Sequence, residues 1–345
     1  MTHKPKLKVL VVDDSAFMRQ LISNAINASE DMQVIGLARN GKEAVTKTRE
    51  LRPDVITLDV DMPVLSGLEA LAQIMRETPT PVVMVSSLTV EGARETLEAL
   101  EMGAVDVISK PQRRADIDQL AAAIAPRLRS AATAHLSAGG VVAVKPKTVS
   151  KTPPSSFELV VVGCSTGGPA ALQRIIPELP EDFPAPIVVA QHIPVGFTGP
   201  MAHRLDQCSK IKVVEAVHGA ELEPSTVYIA PAGSHTVVRK HESRMIIEIL
   251  LPEAALGLYR PSVNALFLSA EAFAPHVLAV VLTGMGQDGL EGVKALHAKG
   301  AHIVAESEES AVIYGMPRVI VESKLAHRVL NLEQIVEFLS TSVKK

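Results

Sequence analysis

Between residues 6 and 130, short apolar runs alternate with amphipathic segments, and the alternation repeats five times. The runs, which we interpret as strands, are Val9 to Val12, Val34 to Ala38, Val55 to Leu58, Val82 to Val85 and Val105 to Ile108. The segments that follow them have helical spacing of apolar residues, and they are Ala16 to Ala28, Lys42 to Leu51, Gly67 to Arg76, Ala93 to Met102 and about Asp116 to Arg129. This alternation predicts an α/β domain, a doubly wound parallel sheet with helices on both faces.

The remainder of the chain predicts a second α/β domain, Rossmann-like with three layers, over residues 157–345. Parallel strands are expected near residues 158–163, 186–191, 211–216, 277–283 and 301–305. His235 to Arg239 and Met245 to Leu250 flank a polar turn, and they predict an antiparallel hairpin beside the main sheet. Between the two domains, which we place at 1–130 and 157–345, residues 131–156 lack a strong hydrophobic period and are typical of a flexible linker.

Composition limits the classes of function. The 345 residues are enough for about two domains. Acidic and basic residues nearly balance, with a formal net charge of -4, which argues against a nucleic-acid partner. Two cysteines, Cys164 and Cys208, are too few for a disulfide framework or a zinc site and fit a reducing cytosol. No apolar run approaches the length of a membrane span, so we expect a cytoplasmic protein without membrane insertion.

Polar residues follow four of the predicted strands in the first domain. Asp13 and Asp14 end the first strand, Asp59 the third, Ser86 the fourth and Lys110 the fifth. In a doubly wound sheet these strand ends meet at one edge, where three carboxylates repel one another unless a hard cation such as Mg²⁺ binds among them. In a simpler interpretation the two adjacent aspartates cap the following helix and Asp59 belongs to a polar turn. The joint pattern of all five positions favours the pocket.

The same positions carry a resemblance over essentially all of residues 6–130. Asp13-Asp14, Asp59 before Met62-Pro63, Ser86 and Lys110-Pro111 together resemble the response-regulator receiver domain, whose fold is flavodoxin-like. The resemblance implies that Asp59 accepts a phosphoryl group from a histidine kinase, that Ser86 binds the phosphoryl oxygens and that Lys110 pairs with them. It also implies a Mg²⁺ site at four positions, which are Asp13, Asp14, Asp59 and the backbone of Asp61.

In the second domain, the stretch Gly163 to Gly168 lies between an apolar run and a helix-like segment. A strand that turns sharply into a helix through glycines holds the side chain at its apex out of the sheet, and here that side chain is the Ser165 hydroxyl. His192 and Asp288 follow two further apolar runs. If the three strands are parallel, their carboxyl ends lie at one edge. A serine nucleophile with a histidine base and an orienting aspartate is then expected.

The tetrahedral intermediate of such a reaction needs hydrogen-bond donors, and we predict the backbone N–H groups of Thr166 and Met285 for this role. Each residue also has a simpler interpretation. The glycine-rich turn resembles an anion cradle, which predicts a receiver with a non-catalytic anion-binding output domain. His192 taken alone is more typical of a structural histidine than of a base, and Asp288 before Gly289 fits a plain helix cap. Cys164 is an alternative nucleophile, although strand alternation turns it away from the face of the serine.

Five segments together resemble the chemotaxis protein-glutamate methylesterases, and they are Gly163 to Pro169, Gln191-His192, Tyr228 to Gly233, Arg260 to Val263 and Thr283 to Gly289. The resemblance covers nearly the entire chain, since a receiver followed by this domain is that family's arrangement. It implies catalytic roles for Ser165, His192 and Asp288, with no cofactor in the esterase reaction. The implied reactions are demethylation of glutamyl methyl esters and deamidation of glutamines on methyl-accepting chemotaxis receptors, regulated by phosphorylation. We expect the unphosphorylated receiver to pack over the serine site.

Overall fold

The computed structural model describes residues 5–87, 89–113, 116–134, 157–242, 244–251 and 259–343. The chain divides into two compact units, Met1–Leu136 and Ser137–Lys345. Most of the predicted linker, residues 135–156, lies outside the described residues. Its first residue, Ala131, is the last residue of a helix.

Over its described residues, the first unit has five strands and five helices in strict alternation. The strands are β1 (Leu7–Val12), β2 (Met32–Ala38), β3 (Val55–Asp59), β4 (Val82–Ser86) and β5 (Asp106–Ser109). The helices are α1 (Ala16–Asn27), α2 (Gly41–Leu51), α3 (Gly67–Glu77), α4 (Val90–Glu101) and α5 (Ile117–Ala131). All strand pairs are parallel, in the order β2-β1-β3-β4-β5, which is the flavodoxin-like order. Every residue of β3 and β4 is buried, as expected where helices cover both faces.

The second unit contains a seven-stranded parallel sheet and a separate two-stranded hairpin. The sheet strands are β6 (Leu159–Cys164), β7 (Ile187–Gln191), β8 (Lys212–Glu215), β9 (Thr226–Ile229), β12 (Val277–Val281), β13 (His302–Glu306) and β14 (Arg328–Leu330). The antiparallel hairpin strands are β10 (His235–His241) and β11 (Arg244–Leu250). The helices are α6 (Gly168–Ile175), α7 (Thr198–Cys208), α8 (Val263–Ala270), α9 (Leu290–Ala298), α10 (Met316–Glu322) and α11 (Leu332–Ser342).

These two units confirm the predicted fold class, including the antiparallel hairpin. Sequence analysis does not assign two of the strands, β9 and β14. They have four and three residues, a length at which periodicity gives little signal, although β5 and β8, with four residues each, are assigned. None of the helices in the described ranges combines the length and the apolar character needed to cross a bilayer.

The strand order positions the candidate site. The large sheet has the order β14-β13-β12-β6-β7-β9-β8, so that β12, β6 and β7 are direct neighbours. Val281 of β12 pairs with Gly163, and Gln191 of β7 pairs with Cys164. The chain therefore leaves these three strands at the same height of the sheet. The segments that begin with Leu282, Ser165 and His192 follow directly.

Candidate active site and acidic pocket

Ser165 follows the last residue of β6 and is buried, with 7% of its surface exposed. Its N–H donates to the carbonyl of Thr283 at 3.0 Å, and its carbonyl accepts from the N–H of Gly168 at 2.8 Å. Helix α6 begins immediately afterwards, after Gly167 at φ 81°, a left-handed conformation that favours glycine. The turn therefore fixes the serine at the boundary between strand and helix.

At two positions close to Ser165, a side chain larger than that of glycine would force neighbouring groups to move. A Cβ on Gly284 would stand 2.7 Å from the Cβ of Ser165, and one on Gly168 would stand 2.0 Å from Oε1 of Gln191. Gln191 is itself part of the site, since its Nε2 donates to the carbonyls of Ser165 at 2.9 Å and His192 at 2.8 Å. Sequence analysis quotes Gln191 as part of a motif but assigns it no role.

His192 and Asp288 are in direct contact. Nε2 of His192 lies 2.9 Å from Oδ2 of Asp288, and both side chains are buried. The backbone N–H of His192 donates to the carbonyl of Cys164 at 3.0 Å. Nδ1 of the same ring is buried and has no hydrogen-bond partner among the described residues. The structure thus brings the imidazole and the carboxylate together beside the end of β6, the strand that precedes Ser165, without a hydrogen bond between Nδ1 and the Ser165 hydroxyl.

Asp288 is held by the first turn of α8. Its carboxylate accepts from the N–H groups of Val263 at 2.8 Å and Asn264 at 3.0 Å, and from the hydroxyl of Ser262 at 3.2 Å. It also accepts from the N–H of Gly289 at 3.0 Å. Burial acts to raise the pKa of Asp288, but the hydrogen bonds from His192 and from the two helix amides outweigh it and leave the pKa lowered. The group is therefore an ionised acceptor for the imidazole and more than a helix cap.

Cys164, the alternative nucleophile, is fully buried in the sheet. Burial raises the pKa of its thiol strongly, and the nearby charge of Glu306 raises it further. A thiolate is the reactive form of cysteine, so this environment disfavours Cys164 as a nucleophile at neutral pH.

The predicted oxyanion donors lie in the turns beside Ser165. The carbonyl of Thr166 accepts from the Thr283 hydroxyl at 2.9 Å, which ties together the turns that follow β6 and β12. The N–H of Met285 has no hydrogen-bond acceptor among the described residues. The oxyanion role of both amides stays a prediction.

Three residues near the serine that sequence analysis does not single out have defined contacts. The carbonyl of Thr283 accepts from the N–H of Ser165, and the N–H of Thr283 donates to Oε2 of Glu306 at 2.7 Å. Tyr259 stacks on the ring of His192, with centroids 4.3 Å apart and planes inclined by 10°. Thr283 belongs to a quoted motif and Tyr259 directly precedes another. Nothing local in the sequence marks Glu306, because its partner is 23 residues away.

In the first unit, the carboxylate oxygens of Asp13, Asp14 and Asp59 lie within 4.8 Å of one another. Asp13 and Asp59 are buried, whereas Asp14 is exposed. Nζ of Lys110 lies 3.0 Å from Oδ2 of Asp13 and 2.7 Å from Oδ2 of Asp59. A compact set of hard oxygen donors open to solvent on one side fits Mg²⁺.

Asp59 has an unusual titration for an aspartate. Burial raises its pKa to about 6, and the charge of Asp13 adds to this effect. Lys110 and a hydrogen bond from the backbone N–H of Asp61 act in the opposite direction. Asp61 is thus at the pocket through its amide, while a ligand role for its backbone stays a prediction.

Ser86 is buried at the end of β4, but its hydroxyl is engaged elsewhere. Oγ donates to the carbonyls of Gly92 at 3.2 Å and Ser87 at 3.3 Å. No hydrogen bond joins Ser86 to Asp59 among the described residues. The structure therefore groups the three carboxylates with Lys110, whereas the Ser86 hydroxyl faces α4.

The residue that caps α1 is Ser15, and not one of the two adjacent aspartates. Ser15 is the N-cap of α1 and its hydroxyl accepts from the N–H of Met18, while Oδ1 of Asp13 accepts from the N–H of Ser15. Arg19, one turn into α1, donates to the carbonyls of Asp13 at 2.7 Å and Asp14 at 2.9 Å. Sequence analysis does not predict this role of Arg19. The contact holds the backbone of both aspartates.

A flavodoxin-like unit with an acidic pocket and an α/β unit with a buried serine beside a histidine–aspartate pair together define a receiver-linked hydrolase. Comparisons with known proteins agree with this class. Residues 9–123 match the family model described as the response regulator receiver domain, and residues 160–339 match the one described as CheB methylesterase.

Curated relatives match along the whole chain. A protein-glutamate methylesterase/protein-glutamine glutaminase of Oleidesulfovibrio alaskensis is 42% identical over 98% of this chain and 100% of its own length. One from Thermotoga maritima is 44% identical over 96% of this chain and 97% of its own. The crystal structure of the Thermotoga maritima CheB methylesterase catalytic domain is similar with a TM-score of 0.51 and 40% identity, covering 53% of this chain and 97% of that one. The chain belongs to the CheB family of protein-glutamate methylesterase/protein-glutamine glutaminase enzymes, which confirms the predicted family.

Proposed function

We propose that this enzyme hydrolyses glutamyl methyl esters on methyl-accepting chemotaxis receptors, releasing methanol, and deamidates receptor glutamines with the same residues. The observation that carries the proposal is the 2.9 Å contact between Nε2 of His192 and Oδ2 of Asp288, which leaves Nδ1 as the ring nitrogen without a hydrogen-bond partner among the described residues. The names of the relatives supply the substrate class.

The reaction begins at the Ser165 hydroxyl. An alcohol is a weak nucleophile at neutral pH, so Nδ1 of His192 removes the proton as Oγ bonds to the ester carbonyl carbon. Nε2 keeps its proton because it donates to the ionised Asp288. The same carboxylate then stabilises the imidazolium that forms. The N–H groups of Thr166 and Met285 are our candidates for binding the negative oxygen of the tetrahedral intermediate.

Collapse of the intermediate breaks the bond between the carbonyl carbon and the leaving group. His192 returns its proton to the departing oxygen and methanol leaves, with a glutamyl ester of Ser165 remaining. A water molecule, deprotonated by His192, then attacks this ester and regenerates the serine hydroxyl. A glutamine side chain follows the same route with ammonia as the leaving group, since the two substrates share the attacked carbonyl.

The first unit is the proposed regulatory part. Asp59 is the acceptor of a phosphoryl group from a histidine kinase, and Asp13, Asp14, Asp59 and the Asp61 backbone are the proposed holders of Mg²⁺. The cation would neutralise phosphoryl oxygen charge. Lys110 already contacts Asp59 at 2.7 Å and would pair with the phosphoryl oxygens. Ser86 would have to leave the Gly92 carbonyl to reach them.

Phosphorylation adds charge and acceptor oxygens at the carboxyl edge of the sheet, and this change is the proposed signal to the esterase. The cellular role is then adjustment of receptor methylation in chemotactic adaptation. The proposed location is the cytoplasm, in keeping with two free cysteines, one of them exposed.

The test uses the full chain with a methylated receptor fragment and a serine-directed fluorophosphonate. We expect methanol release from the fragment and labelling of the peptide that contains Ser165, with both lost in Ser165→Ala and in His192→Ala. The matched control is Ser307→Ala, which removes a serine hydroxyl of the same unit that the mechanism does not use. Labelling elsewhere, or methanol release that survives Ser165→Ala, would contradict the proposal.

A further inference from the structure

We propose that Tyr259 is a positioning residue for His192, which fixes the plane of the imidazole and stabilises its charged form during the reaction. This inference rests on the proposed function. The two rings are stacked at a centroid distance of 4.3 Å with an interplanar angle of 10°. His192 is buried, whereas Tyr259 is 37% exposed and is not part of the hydrophobic core of its unit. An exposed aromatic ring that covers a buried histidine contributes locally, to the histidine, more than to the fold.

The stack supplies a constraint that the hydrogen bonds of His192 do not. A single bond from Nε2 to Asp288 still lets the imidazole turn about its Cβ–Cγ bond, because Nε2 lies close to the extension of that bond and stays near the carboxylate. The lone pair on Nδ1 lies in the plane of the ring, so any pivot moves it away from a fixed serine hydroxyl. Contact with a flat aromatic face prevents the pivot, because turning the imidazole would drive its edge into the tyrosine ring.

Tyr259 also links the histidine to the two segments that hold its partner. The Tyr259 hydroxyl lies 3.8 Å from the place that a Cβ on Gly286 would occupy, so its far end is beside the turn that leads to Asp288. Ser262 and Val263, which bond the carboxylate of Asp288, are three and four residues further along the chain. One short segment thus supplies both the ring against His192 and donors to Asp288.

The stack also suits the charge that develops. When His192 takes the serine proton, the resulting imidazolium has the carboxylate of Asp288 at its Nε2 and the π face of Tyr259 against its ring. An aromatic face attracts a cation, whereas an aliphatic side chain of similar size does not. The aromatic ring is the required feature, and the hydroxyl is dispensable.

The kinetic experiment compares Tyr259→Leu with Tyr259→Phe in the full-length protein, with methanol release measured under the same conditions. Loss of the stack in Tyr259→Leu lowers kcat by about tenfold with little change in KM. Tyr259→Phe retains the stack and stays within about twofold of the wild type. The matched control is Leu268→Ala, a large exposed side chain of the same unit at 44% exposure. Unchanged kcat in Tyr259→Leu, or a rise in KM alone, overturns the assignment.

A second measurement is independent of turnover. Nitrogen chemical shifts of the imidazole in protein labelled with [¹⁵N]histidine report the tautomer of each ring, with His192→Gln providing the assignment. All three proteins show His192 protonated at Nε2, because Asp288 holds that proton in each. The nitrogen signals of the ring are sharp in the wild type and in Tyr259→Phe and are broadened in Tyr259→Leu, where the ring pivots between orientations. Identical spectra for Tyr259→Leu and wild type overturn the inference.

The two measurements separate the inference from the proposed function. A wild type without methanol release but with the expected difference in the spectra contradicts the esterase and retains the positioning role. Thermal unfolding of each variant checks the fold. If Tyr259→Leu is unstable, Tyr259→Met removes the aromatic ring with an unbranched side chain and decides the question by the same two readouts.

Discussion

Oε2 of Glu306 accepts a hydrogen bond at 2.7 Å from the backbone N–H of Thr283, the residue whose carbonyl accepts from the N–H of Ser165. Oε1 of the same carboxyl group accepts from the Ser310 hydroxyl. Glu306 is completely buried at the end of β13, and burial raises its pKa to about 7. A titratable group therefore holds the turn that anchors Ser165, and two successive hydrogen bonds through Thr283 connect Glu306 to the serine.

The substitution Glu306→Gln is expected to remove one source of the pH dependence of stability. The folded pKa of about 7 lies above the ordinary value of 4.5. The contribution of Glu306 to the stability of the wild type is therefore fully present below pH 4.5 and is lost as the pH rises through 7. With about 1.4 kcal/mol for each tenfold change in proton affinity, the loss is about 3 kcal/mol. Urea unfolding of both proteins at pH 5 and pH 8 measures it. A stability difference between them that does not change with pH would contradict this prediction.

Asp288→Asn tests whether the carboxylate sets the state of the imidazole. An amide in this place can donate to Nε2, which would leave the proton on Nδ1 and remove the base. We expect kcat to fall by about 10⁴, as when a triad aspartate is replaced by asparagine. Steady-state methanol release checks this. Glu291→Gln, which neutralises an exposed carboxylate paired with Lys294 in α9, is the control and should keep wild-type turnover.

Gly284→Ala tests the packing behind the serine. The new Cβ would stand 2.7 Å from the Cβ of Ser165 and 2.5 Å from Sδ of Met316, so the strand ends must move apart. Overpacking of this kind costs about 1 to 3 kcal/mol of stability, and the displaced serine should lower turnover. Gly199→Ala, near the start of α7, is the control, because the nearest atom to its new Cβ would be Oε2 of Glu215 at 3.4 Å. Thermal unfolding and fluorophosphonate labelling rates measure both effects. Equal behaviour of the two variants would argue against close packing at Gly284.

Mg²⁺ is expected to stabilise the first unit through its three carboxylates. A ligand that binds only the folded state raises stability by about 2.7 kcal/mol at a concentration of 100 times its Kd. Calorimetric titration and thermal unfolding with MgCl₂ should detect this in the wild type and not in Asp13→Asn. Glu50→Gln changes an exposed carboxylate of α2 and should bind Mg²⁺ as the wild type does. If Asp13→Asn bound Mg²⁺ as tightly as the wild type, the buried carboxylate of Asp13 would not be part of the Mg²⁺ site.

Much of the fold could be predicted because local patterns carry it. The five alternations of strand and helix in residues 6–130 reappear with boundaries shifted by only a few residues, since a strand buried on both faces must be an uninterrupted apolar run. The short strands β9 and β14 were not predicted. The candidate site residues were also visible, because Ser165, His192, Asp13 and Asp59 each follow an apolar run at a strand end.

The contacts that define the chemistry were not visible in the same way. The amides that hold Asp288 belong to Val263 and Asn264, about 25 residues earlier in the chain. From the sequence alone, Asp288 is explained equally well as a cap of the helix that follows it. The engagement of Ser86 with Gly92 depends on where α4 packs. Each of these contacts requires a distance between side chains that no periodicity encodes.

By itself the sequence determined that two parallel α/β units form and which polar side chains stand at their strand ends, since burial periodicity and turn residues are local properties of the chain. Only the tertiary structure decided that β12, β6 and β7 are neighbours, that the imidazole of His192 faces Asp288 on one side and Tyr259 on another, and that Glu306 lies behind the serine turn. The reason is that strand order and side-chain contact arise from packing between segments as far apart as Thr166 and Thr283, which are 117 residues apart in the chain, where loop closure and core complementarity act together.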